Sequence, residues 1–438
     1  MRSVYNLVAV QDDGISSPAN AFLPAEAVVP LSQGNFSGVD ALVSEGDAVE
    51  EGQVIALPRH ADDAAVHAPV PGVVSAIRTV PYPDGGSGPA AFVRLDGAFS
   101  YLGRAHKSAD WTLYSADFLR RILAECGVVN TFAGCSALAR DVSGAGRRGH
   151  FVAVRLFDDD PSRITERFVS RVYAAQLVQG AVIVARASMA GGIILHVPSD
   201  VDEERLRNLL AQYAPPLPSL IVPRSAGRQP AGLRSSMVGA VRALFKSRNP
   251  LDAAFAEFDE DSLFIDSVTA YRAYMAAAMS MPVMSSFVHV SGNCLSVSGV
   301  LSVRIGVTFR QLTLQCGGFR KKPLKVIVNG LVSGVEAESL DVPVTKYVKS
   351  LCFVPQSERT DRRVSECTLC GECRVVCPQG LAPDMLYRYA SGKYALERGS
   401  SFAAVPCIGC GLCNTVCPAR LPLCQGILLL RRMNWNDR

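Results

Sequence analysis

Long hydrophobic runs are missing from this chain. Residues 273–303 carry no Asp, Glu, Lys or Arg, and that length is enough to span a bilayer. Pro282, several serines and the turn Ser291-Gly292-Asn293 break the stretch; its front half reads as helix and its back half alternates like strand. The run 427–430 is too short to cross. Beside Arg431 and Arg432 it suits a packed terminal helix, or a helix lying against a membrane or partner. No transmembrane segment is expected. Export signals and low-complexity tracts are missing too. Charge is sparse, 19% of residues against 49% apolar, which describes a core-rich globular protein. With 438 residues, about three or four domains are expected.

Cysteine, by contrast, is abundant. Eight of the fourteen fall in two copies of one pattern: Cys367-x-x-Cys370-x-x-Cys373-x-x-x-Cys377-Pro378 and Cys407-x-x-Cys410-x-x-Cys413-x-x-x-Cys417-Pro418. Each iron of a [4Fe–4S] cube needs one thiolate. Two-residue gaps let a tight loop wrap three corners, and the fourth thiolate comes from the other motif. The expected ligands are Cys367, Cys370, Cys373 and Cys417 for a first cluster, and Cys407, Cys410, Cys413 and Cys377 for a second. A zinc ribbon pairs separated C-x-x-C units and needs four ligands, so it does not fit. Disulfides suit short secreted chains, and thiols in this number point to a reducing compartment, the cytoplasm. Cys126, Cys135, Cys294, Cys316, Cys352 and Cys424 have no ligand spacing and read as small buried hydrophobes.

The net charge of +4 sits at the C-terminal end, where residues 361–438 hold ten Arg/Lys against six Asp/Glu. Two oxidised cubes with eight thiolates carry about −4, so the basic excess offsets the metal cargo. No aromatic interleaving accompanies it, and nucleic acid is not expected as a partner.

Along the chain, residues 1–105 alternate apolar and turn residues in two similar phrases, 43–55 and 67–74, in the style of a biotinyl/lipoyl-type barrel-sandwich hybrid. The stretch Arg59-His60-Ala61-Asp62-Asp63 between them has no lysine, so a structural platform is expected, not a swinging-arm carrier. Residues 110–212 read as an α/β unit: helix 117–125, strand 151–157, a helix from Pro161 to about 179 with Asp160 as N-cap and Gly180 as its stop, strands 181–185 and 193–197, and helix 202–211. A Pro-rich linker and helical region follows over 213–283, then a small β-rich domain over 284–350, then the cluster module over 360–438. Gly144-Ala145-Gly146-Arg147-Arg148-Gly149 formally matches G-x-G-x-x-G, but it precedes a strand and reads as a turn.

The cluster motifs, the domain order and the phrases Arg304-Ile305-Gly306, Cys316-Gly317-Gly318-Phe319 and Leu340-Asp341-Val342-Pro343-Val344 resemble the RnfC family of the Rnf electron-transport complex over nearly the whole chain. The resemblance implies a multidomain α/β and α+β fold: barrel-sandwich hybrid, an α/β domain like the flavin subunit of complex I, a β-grasp (SLBB-like) domain and a C-terminal two-cluster ferredoxin-like module. It implies a peripheral subunit on the cytoplasmic face of the inner membrane, partnered by other subunits of an ion-translocating oxidoreductase. In that family the α/β part binds FMN and accepts hydride from NADH.

The family's flavin phrase, close to G-x-G-G-A-G-F-P, is eroded here to 126–135, keeping only Gly127 and Gly134, with Phe132 obstructing a close ligand. Its acidic phrase is reduced to Asp158-Asp159-Asp160-Pro161. A later glycine-rich phrase, 329–334, keeps the turn but little else. Gly127, Gly134, Asp158 and Asp160 are thus the candidate residues of an FMN/NADH site. Two alternatives to NADH input stay open: a non-catalytic wire reduced by ferredoxin or flavodoxin, and a cobalamin-reductase-like microcompartment protein, which an intact flavin loop would favour.

Overall fold

Gly46 and Gly52 take positive φ, 94° and 82°, and turn the chain between the short strands of the N-terminal region. The computed structural model describes residues 18–34, 38–96, 108–145, 150–215, 217–224, 230–247, 255–355, 364–392 and 403–433. The last four residues of the G-x-G-x-x-G match, and the 97–105 end of the expected first domain, lie outside them. The N-terminal region holds an antiparallel sheet in the order Glu26–Pro30, Ser87–Leu95, Gly72–Pro81, Ala48–Val49. A second sheet joins Val39–Ala41, Val54–Pro58 and Val66–His67. Both feed one core through Val29, Val49, Ile55, Val66, Val74 and Val93. The lysine-free turn 59–63 is anchored: Asp63 is buried and accepts from Arg140 Nη2 at 2.6 Å. Arg140 lies on helix Leu138–Gly144, so the turn is held against the following region.

The α/β sheet is wholly parallel, in the order Ser219–Pro223, Gly192–Val197, Phe151–Arg155, Leu263–Asp266. It therefore runs past residue 212 and takes two strands from the stretch expected to be linker and helix. Leu263–Asp266 is four residues long and fully buried, too short to show a period of its own.

The expected strand 181–185 is instead the middle of a helix, Ala174–Ser188. That helix is buried on most of its faces, so its apolar run carries no helical stripe. Gly180 does not stop it. A Cβ there would lie 1.8 Å from the Ala270 carbonyl oxygen, so glycine lets this helix touch helix Ser267–Met279 backbone to backbone. The preceding helix, Thr165–Val172, is separate and meets it at a 99° bend. Helices Ala116–Glu125 and Glu203–Tyr213 form as expected, each capped by the side chain before it, Ser115 and Asp202.

The next sheet has six strands, in the order Ala19–Asn20, Gly299–Arg304, Ser285–Ser291, Ser350–Pro355, Pro323–Val328, Val335–Glu336. A helix, Phe309–Gln315, starts at a Thr308/Gln311 capping box and seats Phe309 and Leu312 in that sheet's core. The C-terminal module is helical where described: Glu372–Val375, Pro383–Ala390, Leu412–Val416 and Leu423–Met433. Ile427 and Leu430 are buried against Leu386, which makes the apolar run 427–430 part of a packed helix. Among the described residues no single helix is long and apolar enough to cross a membrane; the bent pair Thr165–Val172 and Ala174–Ser188 passes on length and composition only.

Candidate functional site

A cavity of about 750 Å³ opens between the α/β unit, the six-stranded sheet and the second cysteine motif. Thr131, Phe132, Gly134, Arg155 and Asp160 line one side, and Cys407 and Cys410 line the other. Its volume is in the range of small-molecule sites.

The loop 130–135 is pinned by its own chain. Asn130 Oδ1 accepts from the Phe132 amide at 3.1 Å, and Thr269 Oγ1 accepts from the Thr131 amide at 3.1 Å. Phe132 is buried, packs on Phe264 and carries the Arg155 guanidinium 4.4 Å from its ring centroid. Arg155 also donates to the carbonyls of Gly232 (3.0 Å) and Phe132 (3.2 Å). An aromatic ring and a spent cation thus occupy the place where glycines would let a ligand approach.

The four candidate flavin residues part company. Gly134 lines the cavity, with open space where a Cβ would stand. Gly127 does not line it. A Cβ there would lie 2.2 Å from the Ala65 carbonyl oxygen and 2.5 Å from Lys346 Nζ, so packing on the N-terminal region explains this glycine, which has φ of 68°. Asp158 does not line it either: its carboxylate accepts from the amides of Glu166 and Arg167 in the first turn of helix Thr165–Val172. The sequence pattern makes Asp160 the helix N-cap, but Asp158 takes that part because the helix starts later, at Thr165. Asp160 instead reaches across to the 329–334 loop, where Oδ2 accepts from the amides of Val332 (2.9 Å) and Ser333 (3.1 Å). A Cβ on Gly330 would lie 2.3 Å from that carboxylate, and a Cβ on Gly411 would lie 1.9 Å from the Val332 carbonyl oxygen. The loop is therefore wedged between Asp160 and the second cysteine motif, which accounts for Gly330; a Cβ on Gly334 would instead meet the carbonyls of Val328 and Gly330.

At the cavity wall, which Lys349 lines, lies a charge cluster without a sequence signal. Lys349 Nζ sits 2.6 Å from Glu166 Oε1 and 2.6 Å from Asp266 Oδ2, and donates to the Thr131 carbonyl at 2.9 Å. Burial alone would raise Asp266, but Lys349 and then Arg155 hold its carboxyl well below the usual range. Burial, then repulsion from Asp266, raises Glu166. Lys349 stands 83 positions from Asp266, so only the fold brings them together.

Cys367, Cys370, Cys373 and Cys417 line one small cavity together with Asp384. Cys377 acts electrostatically on Cys410, as Cys407 does; burial is the larger cause of that thiol's raised pKa. Cys417, the fourth thiol of the second motif, thus lies with the first three thiols of the first motif. No three of the described His, Cys, Asp or Glu converge as around a single ion. A cube does not ask that of them, because each thiolate binds a different corner. Of the remaining cysteines, Cys135, Cys294, Cys316 and Cys424 are buried, while Cys126 and Cys352 are only half-buried. Cys424 packs in one buried cluster with Cys373, Cys413, Leu421 and Leu423.

Residues 15–98 match the family model described as the RnfC barrel sandwich hybrid domain. Over 83% of its length the chain is 24% identical to the C component of the proton-translocating ferredoxin:NAD(+) oxidoreductase complex of Clostridium ljungdahlii, covering 78% of that protein. It is 23% identical to the Na(+)-translocating counterpart of Acetobacterium woodii over 84% of its length, covering 82% of that protein. It is 27% identical to the C component of the ion-translocating oxidoreductase complex of Pectobacterium carotovorum over 85% of its length, and there it spans only 49% of the relative. Among solved structures, a chain of an NAD+-reducing [NiFe]-hydrogenase in the H2-reduced state superposes with a TM-score of 0.51 at 14% identity, over 73% of this chain and 64% of that one. That likeness is one of fold, and it agrees with a multidomain α/β architecture.

Proposed function

We infer that this chain, a homologue of the RnfC components of ion-translocating oxidoreductase complexes, is an electron-transfer subunit of such a membrane-bound enzyme. Its place is peripheral, on the cytoplasmic face, against other subunits of the complex. Two [4Fe–4S] clusters, when bound, supply one-electron transfer. The observation that carries this reading is the grouping of Cys367, Cys370, Cys373 and Cys417 around one cavity. The chain's own residues do the rest. Gly371 and Gly411, with φ of 78° and 71°, turn the backbone within the two motifs. The β-grasp and ferredoxin-like assignments of the last two regions belong to the same proposal.

A second reading concerns the input. Phe132 and the self-bonded loop favour a wire whose electrons arrive from a ferredoxin or flavodoxin, with no FMN or NADH of its own. A docking partner finds Cys370 exposed, flanked by exposed Leu369 and Val375. The same filled loop weakens a cobalamin-reductase-like role.

Anaerobic reconstitution followed by iron and flavin analysis tests both readings. About eight irons per chain are expected. Cys417→Ser is expected to disturb the cluster of the first motif and Cys377→Ser that of the second, read by EPR; the reverse pattern refutes the crossed set. Stoichiometric FMN with rapid bleaching by NADH refutes the wire.

A further inference from the structure

The two motifs repeat at an interval of 40 residues, 367 to 407, and the backbone follows the repeat. Gly371 and Gly411 share positive φ (78° and 71°), as do Leu369 and Gly409 (57° and 69°) and Gly380 and Arg420 (63° and 56°). The repeat is broken where it matters for charge. Position 384 is Asp and its counterpart, 424, is Cys; position 374 is Arg and its counterpart, 414, is Asn.

Each of these side chains faces its own thiol set. Asp384, 5% exposed, lines the cavity of Cys367, Cys370, Cys373 and Cys417, with Oδ1 3.9 Å from Cys373 Sγ. Arg374 bonds it at 2.7 Å through Nε and again through Nη2, but the Arg374 side chain is 49% exposed, so water screens its charge more than that of the carboxylate. Cys424, 6% exposed, is held by its amide on Asn414 Oδ1 at 2.8 Å and lies in one buried cluster with Cys413.

We propose that Asp384 is a positioning residue that splits two identically ligated clusters in potential, the second, with uncharged Cys424 at the matching position, being the more readily reduced. The inference rests on the two-cluster reading above. A buried carboxylate beside the first set disfavours adding an electron there. The second set has no carboxylate at the matching position, 424, so no such charge opposes its reduction. Electrons then rest preferentially on the cluster that borders the 750 Å³ cavity.

The test is an EPR-monitored redox titration of the anaerobically reconstituted full chain. Wild type is expected to give two resolved midpoints. Asp384→Asn should move the lower one up and leave the higher in place, and Cys424→Asp, which supplies the missing carboxylate, should move the higher one down and leave the lower in place. If Cys424→Asp fails to accumulate, Asp384→Asn still has to move the lower midpoint alone. Two clusters whose midpoints stay put in the variants, or move together, overturn the inference. A wild-type chain that binds no pair of cubane clusters overturns the reading beneath it.

Discussion

Lys349→Met tests the charge cluster at the cavity wall. Wild-type Lys349 Nζ lies 2.6 Å from each of two carboxylates whose side chains are fully buried. Met keeps the length of the stem and removes the charge. Asp266 retains the amide and hydroxyl of Thr269 and the hydroxyl of Thr131, and Glu166 retains the amide of Val268. Neither retains a cation at comparable distance. Breaking a buried pair from one side costs about 3–5 kcal/mol, and two stranded acids place this variant at the upper end. The sign of the pH dependence follows from the directions of the shifts. In wild type Asp266 is held low, so its contribution is present above the unfolded value of about 4 and is lost as pH falls through the folded one. Without Lys349, burial prevails at both acids and their folded values rise. Their contribution is then present below about pH 4 and lost as pH climbs. The penalty should therefore grow from pH 5 to pH 8. Urea unfolding of the full chain, followed by the fluorescence of Trp111, which is buried and bonded to Gln179, reads it out. Adding Glu166→Gln should restore part of the loss. A penalty below about 1 kcal/mol at pH 7, the worth of an exposed pair, or one that is flat with pH, would refute the reasoning.

Gly180→Ala should cost about 1–3 kcal/mol or more by overpacking, because the added methyl meets the Ala270 carbonyl on a neighbouring helix; a neutral effect on the same unfolding curve refutes the close approach. Asp160→Ala leaves the amides of Val332 and Ser333 without their acceptor, at about 1–3 kcal/mol, and should speed limited proteolysis within 329–334. Unchanged cleavage there refutes the wedge.

Local chemistry is legible where it repeats or punctuates. The cysteine intervals name their own ligand sets, and Ser115 and Asp202 start the helices they precede. Where burial is complete, the sequence has no contrast to read. Residues 181–185 are apolar because helix Ala174–Ser188 is buried nearly all round, and a strand would be apolar for the same reason. Asp160 illustrates a different failure. Acid followed by proline suits a helix start, yet its acceptor oxygens serve amides 172 and 173 positions away.

By itself, then, the sequence determined the two cysteine repeats, the sheet-rich N-terminal region with no lysine at 59–63, and the loop 126–135 with glycine only at Gly127 and Gly134. These are written in spacing and in residue type. Tertiary structure alone decided what fills that loop, why Gly127, Gly180 and Gly330 must be glycines, and which side chain faces which cysteine set. Each of those is a contact between distant segments, and distance along the chain leaves no pattern within it.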